Sequence, residues 1–153
     1  MPLLNIRTSA GVFTDDEIDA LVARLTEAAW RAESLPDTPA ARLRAVAIHS
    51  EIASRRLYCG GQPADNLLAV VLVEFTAGDG VLDPVRRHGF AADLQRAATE
   101  SAGHAGDRAI MTSVTFNEVP EGRWGRDGAI VRLPEMAAVA GFEHLTAIAE
   151  GNT

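Results

Sequence analysis

Pro2 is the first residue of this sequence whose type could do chemistry. Its small side chain lets methionine aminopeptidase remove the residue ahead of it, so loss of Met1 is expected. The first atom of the chain would then be a secondary amine, fixed to the strand-forming run Leu3, Leu4 and Ile6. An α-amine has a reference pKa of about 7.7–8.0, already close to neutrality. Burial or a neighbouring cation lowers it further, toward the range a general base needs. Such an amine can take a proton from a small carbon acid and give it back. Arg123 and Arg126 flank Trp124 in the segment Asn117–Gly128, which mixes charges, glycines and an aromatic densely. Arginine grips a carboxylate with a planar fork of donors, so these two are the candidates for holding an acidic substrate. Trp124 reads either as a pocket wall or as core or interface packing. Glu118 reads as an acid or water activator, or as a strand-end glutamate paired with an arginine. His49 reads as a pocket-lining residue or an ordinary strand-end histidine.

Other chemistries find less support. His88, His104 and His144 have no metal-ligand spacing with one another or with Cys59, so no metal site is expected. Gly125 and Gly128 are not followed directly by a helix and do not form a phosphate-binding fingerprint. Ser9, Ser50 and Ser113 lack a nucleophile-elbow context. No cofactor is implied. Cys59 is the single cysteine, which excludes an internal disulfide framework and reads as a packed small hydrophobe. The formal charge of −7 argues against a nucleic-acid or anionic-membrane surface. An anionic substrate would have to be drawn in by local arginines. With no apolar run near 18 residues and no signal-peptide pattern, a soluble, cytoplasmic protein is expected.

The elements that must position these residues follow from pattern. Thr14-Asp15-Asp16-Glu17 is a capping box, and Ile18, Leu21, Val22, Leu25, Ala28 and Ala29 continue at helical spacing. That helix should stop near Ser34, ahead of Pro36 and Pro39. A second strand is expected over Leu43–Ile48, then a turn at Ala53–Arg56 and the pair Gly60-Gly61. One strand–helix–strand unit of this kind implies parallel pairing of its long strands. After the linker-like Gln62–Asn66 the pattern begins again. Leu67–Phe75 is a nearly continuous apolar run, a strand buried on both faces. Asp83-Pro84 supplies an N-cap and an N1 proline for a helix to about Ala102, with Val85, Ala91, Leu94 and Ala98 inward. Ala109–Phe116 is a fourth strand, Ala129–Leu133 a short edge strand, and Pro134 starts a final amphipathic helix.

The expected fold is therefore α+β: two consecutive β-α-β units forming a four-stranded mixed sheet with two helices on one face, plus a short C-terminal helix. Residues 1–62 form the first unit, 66–133 the second and 134–153 the tail helix of a single domain, 1–153. The opposite sheet face reads as apolar and uncovered, which points to oligomerisation.

Four stretches carry a resemblance: MPLLNIRT with its proline, FTDDEIDALVARLTEA, AIHSEIASRRLYCGG and VTFNEVPEGRWGRDG. The chain resembles the tautomerase superfamily, as a duplicated β-α-β member. Its relatives there are 4-oxalocrotonate tautomerase, malonate semialdehyde decarboxylase, cis-3-chloroacrylic acid dehalogenase and macrophage migration inhibitory factor. The resemblance implies a trimer, with Pro2 as the proton-transferring residue in a pocket at subunit contacts. It also puts Trp124 where 4-oxalocrotonate tautomerase has its pocket-closing aromatic. Departures are informative. Phe13 stands where an arginine is common before the first helix, and Ser113 and Val46 where a second is common, with Arg44 nearby. Ala41 replaces the decarboxylase's acidic residue and Ala29 the dehalogenase's histidine.

The resulting expectation is a cofactor-independent tautomerase or isomerase acting on a small 2-oxo acid or enol. The alternative is a catalytically inert tautomerase-like oligomer that binds a small ligand or protein partner. A third reading is a ferredoxin-like protein of unrelated activity.

Overall fold

The computed structural model describes residues 2–132. The expected C-terminal helix lies outside them. Strand β1 (Leu3–Ser9) leads to helix α1 (Asp15–Ala32), a single turn α2 (Pro39–Arg42) and strand β2 (Val46–Ile52). A two-stranded hairpin, β3 (Tyr58–Cys59) and β4 (Gln62–Pro63), closes the first unit. The second unit runs through β5 (Leu68–Gly78), α3 (Pro84–Ser101) and β6 (Ala109–Val119). It ends in the hairpin β7 (Trp124–Arg126) and β8 (Ala129–Val131).

The four long strands form one mixed sheet in the order β2-β1-β5-β6. Each unit pairs its own strands in parallel, and β1 meets β5 antiparallel. This is the expected α+β arrangement of two β-α-β units. Alternation along each strand sends Leu4 and Ile6 of β1, and Val71, Val73 and Phe75 of β5, toward the helices. There they meet Leu21 and Leu25 of α1 and Phe90 and Leu94 of α3 in one apolar cluster. Phe75, Phe90 and Phe116 stack edge-on and tilted within it, with centroids 4.8–6.0 Å apart.

Local differences from the sequence reading have physical causes. Pro39, read as a helix stop, is instead the first residue of α2, with Thr38 capping the Ala41 amide. This turn displaces β2 from Leu43 to a start at Val46. Gln62–Asn66 begins as strand rather than linker, because Gly60 and Gly61, both at positive φ, make a two-residue hairpin turn. Cys59 sits in that hairpin and is exposed, not packed. Val85, expected inward, is 79% exposed in the first turn of α3, and Phe90 takes the core position instead. The sheet face away from the helices is mixed rather than apolar. By alternation it carries Ile48, Leu72 and Met111, but also Arg7, Glu74 and Ser113.

Candidate active site

Pro2 is buried at the very start of β1, and its carbonyl accepts the Val46 amide at 3.0 Å. Three other features converge on this end of the sheet. Leu3 pairs with Thr76 and Thr76 with Asn117, so Pro2 and Glu118 each stand one residue beyond the same rung. Two strand spacings separate them, roughly 10 Å between backbones. Glu118 follows Phe116 on the helix side, and Arg87 of α3 donates to it through Nη2 at 2.7 Å. Just past Glu118, a turn closed by the Arg123 amide on the Pro120 carbonyl (3.1 Å) opens the β7–β8 hairpin. Asp127 and Gly128, at φ 50° and 81°, form its two-residue turn, as Asp-Gly does in the twisted hairpins that suit a sheet.

Among the described residues, the hairpin's contacts are chiefly between its own two strands. Trp124 is half-buried opposite Val131, while Arg123 and Arg126 are exposed. Arg126 Nε lies 3.1 Å from Asp127 Oδ2. A shallow depression of about 250 Å³ runs along the hairpin from Gly125 to Ile130. His49 is elsewhere. It pairs with Ile6, four residues inward from Pro2, roughly 13 Å along the strand, and its Nε2 lies 2.9 Å from Thr8 Oγ1. Within one chain the fold thus gathers Pro2, Glu118 and the root of the arginine hairpin at one end, and leaves His49 apart. Of the substituted positions, Phe13, Ala29 and Ala41 are buried, so a charged side chain could not simply be swung into them.

One residue of this end was not singled out from the sequence. Glu33 is fully buried at the C-cap of α1. The helix ends there in a Schellman motif. Ser34, at φ 52°, donates to the Arg31 carbonyl and Leu35 to the Trp30 carbonyl. Burial pushes the Glu33 carboxyl above the ordinary carboxylate range. A signal was present: Glu33 continues the inward row Leu21, Leu25, Ala29, where a charge needs a reason.

Among the described residues, no group of three or more His, Cys, Asp or Glu is placed to hold a metal ion. Nor is any helix among them long and apolar enough to cross a membrane. No protein-family model matches the sequence, and no curated protein does. Solved structures do. The chain is similar to a fused 4-OT asymmetric trimer, at 18% identity over 84% of this chain and 94% of that one, with a TM-score of 0.66. It is similar to a fused 4-OT symmetric trimer, at 23% identity over 89% and 98%, with a TM-score of 0.63. Macrophage migration inhibitory factor of Toxoplasma gondii matches at 19% identity over 84% and 99%, with a TM-score of 0.61. The chain therefore has the tautomerase-superfamily fold, in its duplicated β-α-β form.

Proposed function

We propose that this protein is a cofactor-independent tautomerase or isomerase that uses Pro2, freed of Met1, as general base and acid on a small 2-oxo acid or enol. The observation that carries this reading is the buried Pro2 at the end of a central strand, in a fold shared with fused 4-OT structures. The secondary amine takes a proton from carbon next to the carbonyl and returns it at another position. General acid–base transfer of this kind contributes about 10²–10⁴ to a rate. Arg123 and Arg126 hold the carboxylate and stabilise enolate charge, and Trp124 excludes water. Glu118 walls the site, its charge met by Arg87, and His49 stands behind β1 outside the substrate contacts of its own chain.

Because the arginine hairpin's contacts among the described residues are chiefly between its own strands, we place it against a second copy, in a homotrimer like those named for the fused 4-OT structures. We take residues 1–153 as one domain, with units 1–62 and 66–133, working in the cytoplasm. The test is enol-to-keto conversion of phenylpyruvate by wild type and Pro2→Ala. Loss of turnover in the variant is expected, and equal rates overturn the reading. A second reading, an inert ligand- or partner-binding oligomer, draws on Phe13, a buried aromatic at the position just before α1 where the resemblance implies an arginine. Absence of turnover in wild-type protein carrying a free Pro2 amine would favour it.

A further inference from the structure

The four-stranded sheet carries α1 and α3 on one side, which leaves its other face to be accounted for. Alternation puts Leu3, Asn5 and Arg7 of β1 on that open face, beside Leu72, Glu74 and Thr76 of β5. The flanking strands add Val46 and Ile48 of β2 and Met111 and Ser113 of β6. Val46, Ile48 and Met111 are between 41% and 55% exposed. The face is therefore not the clean polar alternation of a sheet solvated on one side.

Two charges of opposite sign stand in its middle. Arg7 and Glu74 lie on the two inner strands, and both are exposed. They are diagonal neighbours, since Arg7 is opposite Leu72 and Asn5 is opposite Glu74. Diagonal positions are roughly 7–8 Å apart, within reach of long side chains. Yet among the described residues neither side chain makes an ion pair or a hydrogen bond. Other arginines are engaged: Arg24, Arg31, Arg42, Arg87 and Arg96 each reach a carboxylate, and every one of them starts from a helix. Whatever covers the apolar flanks of the open face must also cover this cation and this anion. Covering either one alone is costly, and an opposite charge on the partner removes that cost.

We propose that a second copy of this chain docks on the open face, with Arg7 of one copy paired to Glu74 of the next. The proposal rests on the homotrimer of the functional reading and assigns the residues that hold it. A single chain supplies both members of the match, so the face is complementary to another copy of itself. Because the two residues differ, each contact takes Arg7 from one side and Glu74 from the other, head to tail. A head-to-tail contact closes into a ring when its rotation allows, and the pair then recurs at every interface. Arginine suits the position, since its fork engages a carboxylate through two parallel bonds and is weakly hydrated for a cation. Val46, Ile48 and Met111 supply apolar area around the pair. The ion pair itself sets the register and rejects wrong dockings.

The test is the assembly state of the full chain, by analytical ultracentrifugation over a dilution series. Arg7→Glu and Glu74→Arg should each raise the concentration of half-assembly at least about tenfold, because each sets like charges against one another. Arg7→Gln, which deletes the charge without reversing it, should act in the same direction by less and guards against a reversal that fails to fold. The double variant Arg7→Glu, Glu74→Arg should return the midpoint close to the wild-type value. Asp19→Arg, an exposed reversal on α1, should leave it unchanged. Single variants that assemble like wild type overturn the proposal and leave the homotrimer to other contacts. A double variant that stays dissociated also overturns it. So does a lowered urea midpoint at unchanged assembly, which means a pair closed within one chain. A monomeric wild type overturns this assignment and the homotrimer together, whereas the role of Pro2 is judged by the phenylpyruvate comparison alone.

Discussion

The two β-α-β units solve the same folding problem with different materials. The first packs seven-residue strands under an aliphatic stripe, Leu21 and Leu25 against Leu4 and Ile6. The second uses eleven-residue strands and an aromatic trio, Phe75, Phe90 and Phe116. The first begins with a buried proline and ends its helix on a buried acid; the second has leucine and alanine there. Both deliver a tight hairpin after their last long strand, Gly60-Gly61 in one and Asp127-Gly128 in the other. The lesson is that backbone architecture repeats where only shape is needed. Side-chain chemistry diverges at the strand entry, where one unit has Pro2 and the other Leu67.

That contrast can be broken at several points. The largest effect is expected at the divergent position: Pro2→Ala should reduce phenylpyruvate turnover by about 10²–10⁴, read as kcat/KM. Next comes the aromatic core. Phe90→Ala should cost about 3–5 kcal/mol by urea unfolding, while Leu25→Ala in the first unit should fall within about 2–5. A Leu25→Ala loss well above that of Phe90→Ala would reverse the assignment of the heavier packing to the second half. Smaller still are the helix starts. Thr14→Ala and Asp83→Ala each remove a side-chain cap, at about 1 kcal/mol apiece, while the reciprocal bond from the Thr14 amide to Glu17 survives in Thr14→Ala because its donor is backbone.

The smallest effects concern the polar links between the units. The exposed Arg24–Glu100 pair, 2.8 Å apart, should show a coupling of about 0.2–1 kcal/mol in a double-mutant cycle. Glu17 joins α1 to His104 across the two halves. The Thr14 amide, and then His104, hold its carboxyl below the usual range. A carboxyl with a lowered folded pKa adds stability above the ordinary carboxylate range, and that contribution is lost as pH falls through the lowered value. The urea midpoints of wild type and Glu17→Gln should therefore differ at neutral pH and converge on acidification.

Much of this was legible in the residues. The Thr14–Glu17 box announced α1, and Asp83-Pro84 announced α3, because caps are local chemistry that tertiary packing rarely overrules. Leu67–Phe75 announced the strand β5, although not the burial of both its faces: Leu67 lies exposed ahead of the strand, Leu72 is half-buried and Glu74 is exposed. The inward stripe of α3 was harder to read. Val85 is apolar, but it lies in the exposed first turn, and a phase anchored on it misses Phe90. Pro39 is ambiguous by nature, since proline both ends helices and begins them. The gathering of Pro2 with Glu118 depends on the antiparallel seam between β1 and β5, which no local pattern encodes. Glu33 continues the inward row of Leu21, Leu25 and Ala29, but a glutamate at a helix end is usually solvated, and only the packing shows its burial.

The order of strands has a consequence for how the chain matures. β1 is translated first but lies between β2 and β5, so its second flank stays open until Leu68–Gly78 has left the ribosome. At about 5–20 residues per second that interval lasts several seconds. Throughout that interval Leu3–Thr8, later held along both edges, presents one bare edge that nothing in its own chain has yet arrived to cover.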